Sequence, residues 1–390
     1  MQYIAILGRQ PALGVAELEN LYGAASVSWF SSHTAIVTAD SFSIQYLGGT
    51  QKAGVVIDQL PHGDWHRVSM KIVQLYTKKW AGYEGKITFG ISAYGFDTPV
   101  RDIQKTGIVL KQKLKASGVS LRLIPNTDPA LGSATSHHNK LGLADNKVEL
   151  IVVRAPSGRI IIAESTGAQN ITALARRDQG RPKRDAFVGM LPPKLAQIII
   201  NLAAPTTQGE RILLDPFCGT GVILQEAALM GYTVYGTDLS DKMIDYSRAN
   251  LAWLADSHHI PVRARIDQGD AMDTTWQPPV NTVACEGYLG QPFSAPPSPS
   301  KLVEVRGNCN HIMTKFLQNI APQLAPGTPL CVAVPAWRDA NGYFTHLPLI
   351  AQLEKLGYQQ KSFKNVQPSD LLYYREDQIV ARELLVLVKA

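Results

Sequence analysis

Arg211-Ile-Leu-Leu-Asp215-Pro-Phe-Cys218-Gly-Thr-Gly221 decides how the rest of this 390-residue chain reads. Ile212 to Leu214 is a short apolar run of the kind that forms a buried parallel strand. The run ends in Asp215 and breaks into a Pro/Gly turn that opens onto a helix over Val222 to Met230. Gly219 and Gly221 let the backbone bend tightly and approach a ligand at the helix N-terminus. A carboxylate at the carboxyl end of a central strand lies where open α/β sheets place their ligands. It suits a ligand that carries positive charge at that point, such as an ammonium.

Two other turns of this general shape are set aside by residue type. A dinucleotide fingerprint needs a small residue three places after Gly221, where Leu224 stands, and a phosphate loop needs a lysine that is absent. A carboxylate leading into the turn would also repel a pyrophosphate. Asp215-Pro-Phe-Cys-Gly-Thr-Gly221 resembles the first motif of class I S-adenosylmethionine-dependent methyltransferases that modify amino groups. The resemblance implies that Asp215, Phe217, Cys218, Gly219, Thr220 and Gly221 hold the amino-acid end of that cofactor.

From Arg211 onward strands and helices alternate, which predicts a doubly wound, mostly parallel sheet. Thr233 to Thr237 is the second strand, ending in Asp238, with Leu239 beside it. An acidic residue there can accept both ribose hydroxyls of an adenosine. Val262 to Ile266 is the third strand, and Asp270, followed by Ala271, is placed to accept from an adenine amino group. Val280 to Cys285 is the fourth, leading into Glu286-Gly-Tyr288-Leu-Gly290. Leu330 to Pro335 is the fifth, Leu347 to Leu356 a helix, and Phe363–Val366 with Glu383–Val388 an antiparallel closing pair. The Pro- and Ser-rich loop Gly290 to Ser300 is a candidate lid.

Amino methyltransferases carry Asn/Asp-Pro-Pro-Tyr after the fourth strand. An exocyclic base amine is a weak nucleophile because its lone pair is delocalised into the ring. Oxygen acceptors draw that lone pair out, an aromatic ring stacks on the base, and in-line attack proceeds by positioning and electrostatics. Here Glu286 stands where the Asp would be, both prolines are missing, and Tyr288 comes one place early. Glu286 and Tyr288 are the catalytic candidates; Glu286 either accepts an amine proton or is a structural carboxylate.

The front half differs in charge. Residues 1–185 hold 22 Lys/Arg against 14 Asp/Glu, whereas residues 186–390 hold 16 against 18. A basic half joined to a near-neutral one suits a polyanionic partner such as nucleic acid, or is a basic surface and nothing more. Within it, Met1–Leu7, Ala35–Thr38, Gly54–Val56, Lys86–Ala93 and Val119–Ile124 are strand-like, and Val148–Val153 with Ile160–Glu164 reads as a hairpin. Pro11–Leu21, Val68–Trp80 and Val100–Ala116 are helical. Arg176, Arg177, Arg181, Lys183 and Arg184 make the most basic short stretch, before a helix at Pro193–Ala203. It is a linker that either contacts phosphates or is a solvated tether.

Apolar content of 45% and 390 residues imply two or three domains with a large core. No stretch has the length of a membrane span, and the N-terminus lacks a signal pattern. Cys218, Cys285, Cys309 and Cys331 lack metal-ligand spacing and read as reduced thiols in a cytoplasmic protein. His137-His138 and His258-His259 read as loop histidines, not metal ligands.

Taken together, the chain resembles the THUMP-domain tRNA methyltransferases of archaeal and eukaryotic type, which modify the 2-amino group of guanosine. Tyr3 to Arg9, Leu18 to Leu21, Arg181-Pro182, Gly189 to Ala196 and Asp377 to Glu383 carry the likeness beside the cofactor motifs. It implies an α+β RNA-binding region over 1–170 that includes a THUMP-like module, a basic linker over 171–192, and a Rossmann-like class I methyltransferase domain over 193–390. It further implies S-adenosylmethionine as cofactor and tRNA as partner, with a stacked target guanosine flipped out to react. An amino methyltransferase acting on DNA or another RNA position, and a binding protein that keeps the fold without catalysis, share the same cofactor motifs. The residues around Glu286 separate these readings.

Overall fold

A computed structural model describes residues 1–185, 191–204, 210–277 and 279–390. Contacts divide the chain into two compact units. The first holds Met1–Pro11, Ala25–Gln45 and Thr50–Ala173; the second holds Ala12–Ala24, Tyr46–Gly49 and Leu174–Ala390.

The first unit is built on an eight-stranded mixed sheet. Its strands are β1 (Gln2–Leu7), β2 (Val27–Ser31), β3 (Thr34–Thr38), β4 (Thr50–Leu60), β5 (Lys86–Tyr94), β6 (Ser120–Leu123), β7 (Lys147–Arg154) and β8 (Ile160–Ala168). They lie in the order β2-β3-β1-β4-β8-β7-β5-β6. β7 and β8 pair antiparallel, as the hairpin signal requires. A helix over Pro11–Tyr22, α1, belongs to the second unit; α2 (Trp65–Lys79), α3 (Val100–Ala116) and the short α4 (Ser133–His138) belong to the first. His137 and His138 thus lie on a helical turn, not in a loop. Val68, Ile72 and Tyr76 of α2 and Ile103, Leu110 and Leu114 of α3 recur at helical spacing and are buried against the sheet with Phe89 and Leu150. The lysines at 105, 111, 113 and 115 stay outside that buried set.

α5 (Ile171–Gln179) carries the boundary between the units, and α6 (Pro193–Leu202) follows. The second unit then alternates β9 (Ile212–Asp215), α7 (Val222–Leu229), β10 (Thr233–Asp238), α8 (Asp241–His258), β11 (Ala264–Gln268) and β12 (Thr282–Glu286). α9 (Pro299–Ile320), β13 (Pro329–Arg338), β14 (Phe344–Thr345), β15 (Tyr358–Gln360), β16 (Leu372–Tyr373) and β17 (Val380–Lys389) complete it. The sheet order is β11-β10-β9-β12-β13-β17-β15, with β14 paired to β13 and β16 to β17. β9 to β13 run parallel, and β17 is antiparallel to β13. The order reverses between β9 and β12, which puts a ligand crevice at the carboxyl ends of these strands.

Two further sequence expectations change here, and one helix had none. Phe363–Val366 is not a strand: Phe363 and Val366 are buried, but the backbone N–H groups of Lys364 and Asn365 donate to the carboxylate of Glu19 on α1. The closing pair is instead β15 with β17. Leu347–Leu356 forms two short 3₁₀ turns, the second ended by Gly357 with φ +85°. The 22-residue α9 has no counterpart in the sequence reading. Its signal was present: the Ser298 side chain caps it, Pro299 opens it, and Val305, Cys309, Met313, Phe316, Leu317 and Ile320 make a buried stripe.

Candidate active site

Three carboxylates end three neighbouring parallel strands: Asp238 on β10, Asp215 on β9 and Glu286 on β12. Asp215 is buried, and its Oδ1 accepts the N–H of Phe217 at 3.2 Å. Burial pushes its pKa well above the usual carboxylate range; repulsion from Asp238 and Glu286 adds to this, and the Phe217 N–H opposes it. The cluster therefore favours a cation among its members.

The turn between β9 and α7 is held from several sides. Cys218 N–H donates to the carbonyl of Thr237 at 2.9 Å, and Gly221 N–H to that of Cys218 at 2.7 Å. Ser247 Oγ donates to the Gly219 carbonyl at 2.7 Å, and Asn250 Nδ2 to the Thr220 carbonyl at 2.8 Å. Gly221 needs to be glycine twice over, since φ is +79° and a Cβ would lie 2.9 Å from Ser247 Oγ. At Gly219, φ +52°, a Cβ would meet only the Phe217 carbonyl oxygen at an ordinary 3.9 Å, so the backbone angle alone favours glycine there. Asp238 ties its own strand end to this turn: its Oδ2 accepts from Gly219 N–H and its Oδ1 from Ser240 N–H, both at 2.9 Å.

The other cofactor candidates fall around the same strand ends with different exposures. Phe217 is half-buried, its ring edge-on to Phe316 at 5.1 Å. Cys218 packs inward against Ser247, so only its backbone faces the turn's work. Leu239 is 67% exposed at the end of β10, an apolar surface at a crevice edge. Asp270 Oδ1 accepts from Met272 N–H at 2.9 Å, and Ala271 is buried beneath Asn319, whose Nδ2 donates to its carbonyl.

At the end of β12, Glu286 Oε1 accepts from Nε of Arg382 on β17. Arg382 is buried to 8% exposure. Gly287 N–H donates to the Ala333 carbonyl at 2.9 Å, and a Cβ at Gly287 would lie 2.6 Å from Met313. A proline there would lose that hydrogen bond and collide, which accounts for its absence. Tyr288 is exposed, and the segment after Gly290 is irregular until α9 begins at Pro299. Sequence reasoning missed Arg382 as the partner of Glu286. An arginine within the apolar strand Val380–Lys389 was the available signal, because a charge in a central strand must be paired.

The basic stretch separates into two kinds of residue. Arg176, Lys183 and Arg184 are exposed. Arg177 and Arg181 are buried, which corrects their reading as phosphate-contacting surface cations. Arg177 donates from Nε and Nη2 to the two oxygens of Glu226 at 2.6 and 3.0 Å, and Gln197 Nε2 donates to the same carboxylate at 2.8 Å. Arg176 and Arg177 lie on α5, not in an extended linker. Gly189 and Met190, part of the joining segment that carried the family likeness, lie outside the described residues. Among the described residues no group of three His, Cys, Asp or Glu could hold a metal ion, and no helix is long and apolar enough to cross a membrane.

This strand order, with a glycine turn and carboxylates at its switch point, defines the fold of a class I methyltransferase. Residues 181–286 match the family described as RMKL-like, methyltransferase domain. The chain is 32% identical over 164 residues to the tRNA (guanine(10)-N2)-dimethyltransferase of Methanothermobacter thermautotrophicus, covering 42% of this chain and 44% of that one. With the protein of the same name from Pyrococcus abyssi it shares 44% identity over 63 residues, 16% of this chain and 18% of that one. The chain thus spans less than half the length of these relatives. Among solved structures, TrmN from Thermus thermophilus aligns over 100% of both chains at 17% identity with a TM-score of 0.53. The likeness to guanosine 2-amino methyltransferases read from the sequence holds over the matched residues.

Proposed function

We propose that this protein is an S-adenosylmethionine-dependent methyltransferase that acts on the exocyclic 2-amino group of a guanosine in tRNA, in the cytoplasm. The observation that carries the reading is the row of Asp238, Asp215 and Glu286 at the ends of β10, β9 and β12, beside a turn with left-handed glycines at 219 and 221. A buried carboxylate next to two others accommodates a ligand with an ammonium and a sulfonium far better than a pyrophosphate. When bound, the cofactor supplies an electrophilic methyl group.

The chain's own residues do the rest. Asp215 would take the ammonium, and Asp238, already anchoring Gly219 and Ser240, would accept from the ribose hydroxyls. Leu239 would cover the adenine face, and Asp270 would accept from its amino group. Arg382 holds Glu286 by Oε1, and Oε2 would accept from the base amine. That hydrogen bond draws electron density onto the attacking nitrogen, and Tyr288 would stack beside the base. The basic first unit would bind tRNA, as a THUMP-like module does. A groove along α2 and α3, lined by Lys78, Lys105, Lys113 and Arg154 together with Asp64, Asp97 and Asp102, offers a surface for it.

The test is methyl transfer from labelled S-adenosylmethionine to total tRNA and to DNA, followed by nucleoside analysis. N2-methylated guanosine from tRNA is the expected product. Label in DNA alone would move the substrate, and cofactor and RNA binding without transfer would make the protein a non-catalytic binder.

A further inference from the structure

Two of the buried arginines are paired with a glutamate, and the two pairs are built differently. Arg177 gives Nε and Nη2 to the two oxygens of Glu226, and Gln197 donates to the same carboxylate. That pair is closed, as a forked guanidinium on a carboxylate usually is. The pair of Arg382 with Glu286 is open. Its Nε donates to Oε1, and among the described residues neither Nη nitrogen of Arg382, nor Glu286 Oε2, makes a hydrogen bond. These side chains are only 10% and 18% exposed, yet none of the three atoms is sealed from solvent. A guanidinium this buried ordinarily has its donors matched, because an unmet donor away from bulk water costs free energy.

The open atoms stand at the carboxyl edge of the second unit's sheet. Glu286 ends β12 opposite Ala333 of β13, and Arg382 lies on β17 opposite Pro335, two residues further along β13. Asp215, which ends β9, is near enough to Glu286 for their charges to repel, so the pair shares the end of the sheet with the carboxylate row. What Glu286 and Arg382 together present there is one acceptor, Oε2, beside the Nη donors.

We infer that Arg382 touches the target base, donating from Nη to the ring nitrogen next to the amine; the assignment rests on the guanosine 2-amino reading. In guanine that amine stands between N1–H, a donor, and N3, an acceptor. A carboxylate with both oxygens available takes N1–H and an amine N–H together. Arg382 already occupies Oε1, so one acceptor beside one donor remains, which matches an amine N–H with N3. Arg382 thereby selects the edge by which the base is held. An RNA phosphate accepts from a guanidinium equally well, but it would set a second anion against Oε2.

Methyl transfer is measured on tRNA that carries guanosine, 3-deazaguanosine or 1-methylguanosine at the nucleotide that wild type methylates. The first analogue keeps the amine and replaces N3 by C–H; the second keeps N3 and blocks N1. Wild type should lose about tenfold or more in kcat/KM on 3-deazaguanosine, the scale of one hydrogen bond from a charged donor, and less on 1-methylguanosine. Arg382→Met should be slower on guanosine and should no longer distinguish it from 3-deazaguanosine, with S-adenosylhomocysteine affinity kept. Equal loss by the variant on both bases overturns the assignment. A variant that keeps the wild-type preference but flattens the salt dependence of tRNA binding also overturns it, and gives the Nη donors to a phosphate. Should Arg382→Met fail to fold, wild type alone decides: a greater loss on 3-deazaguanosine than on 1-methylguanosine supports the assignment, and an equal or smaller one overturns it. Wild type that methylates no guanosine in tRNA overturns the guanosine reading and this assignment together, whereas transfer to guanosine with no penalty for 3-deazaguanosine overturns this assignment alone.

Discussion

Glu286, the last residue of β12, is ion-paired to Arg382 on β17, reaching past β13, which lies between the two strands in the sheet. The register makes this possible: Glu286 pairs with Ala333 on β13, and Arg382 with Pro335 two residues on. A glutamate side chain at a strand end is long and free to rotate; the guanidinium fixes where its Oε1 lies. The loop without prolines is thus stiffened from the side, by a side chain contributed almost a hundred residues later.

Turnover should track that pair. Glu286→Gln and Glu286→Ala should lower methyl transfer in that order, Ala by about a hundredfold, because misplacing a reacting group by about 1 Å costs on that scale. Arg382→Lys should cost less than Arg382→Met, since the ammonium keeps the charge and loses the fork. Affinity for S-adenosylhomocysteine should stay within about twofold throughout. Equal turnover in wild type and Glu286→Ala would remove the carboxylate from catalysis.

Asp238 anchors the glycine turn and is the proposed acceptor for the cofactor's ribose. Asp238→Ala deletes the proposed ribose acceptor and also strands the N–H groups of Gly219 and Ser240. Charge-assisted hydrogen bonds are worth about 1.5–3 kcal/mol each, so calorimetry should show affinity for S-adenosylhomocysteine falling at least about tenfold. Unchanged affinity would place the ribose elsewhere.

Asp215 should make the ligand-free protein less stable as pH rises. Unfolded aspartate ionises near 3.8, whereas the buried side chain ionises only at higher pH. Between those two values the unfolded chain has released a proton that the folded chain retains, so stability falls through that interval. Asp215→Asn should therefore raise the melting temperature at pH 7, with the gain shrinking on acidification toward pH 4, while weakening S-adenosylhomocysteine. A variant that melts no higher than wild type at pH 7 would show that burial of the charge is not under strain.

The cofactor half of this design was legible because its signals are local. Strand, acid and glycine turn stand within eleven residues at 211–221, and β10 ends in Asp238 as its apolar run requires. The pairing of Glu286 with Arg382 was hidden because nothing local links residues 96 apart. The burial of Arg177 and Arg181 was hidden for the opposite reason: a run of like charges reads as solvated, and only the fold reveals Glu226 turned toward it from α7. Phe363–Val366 begins and ends on buried apolar residues, yet Glu19 satisfies its backbone from a distance of more than three hundred residues.

That split within the basic stretch yields a prediction with two opposite signatures. Arg176, Lys183 and Arg184 are exposed, and the Lys183 ammonium lies 5.5 Å from the Tyr246 ring centroid beside that of Lys242 at 5.4 Å. Changing the three to alanine should leave the melting temperature nearly unaltered, because exposed charges contribute little to stability. It should weaken tRNA binding and flatten its salt dependence by up to about 0.7–0.9 per lost phosphate contact. Arg177→Met should do the reverse. It leaves the Glu226 carboxylate buried without its guanidinium, a change that costs about 3–5 kcal/mol in such pairs, and it should not alter the salt slope of the protein that remains folded. Thermal melts and tRNA titrations between 50 and about 200 mM salt measure both. A triple variant with wild-type salt slope would reduce these cations to a solvated tether, and an Arg177→Met protein as stable as wild type would mean that the ion pair with Glu226 carries none of the fold's stability.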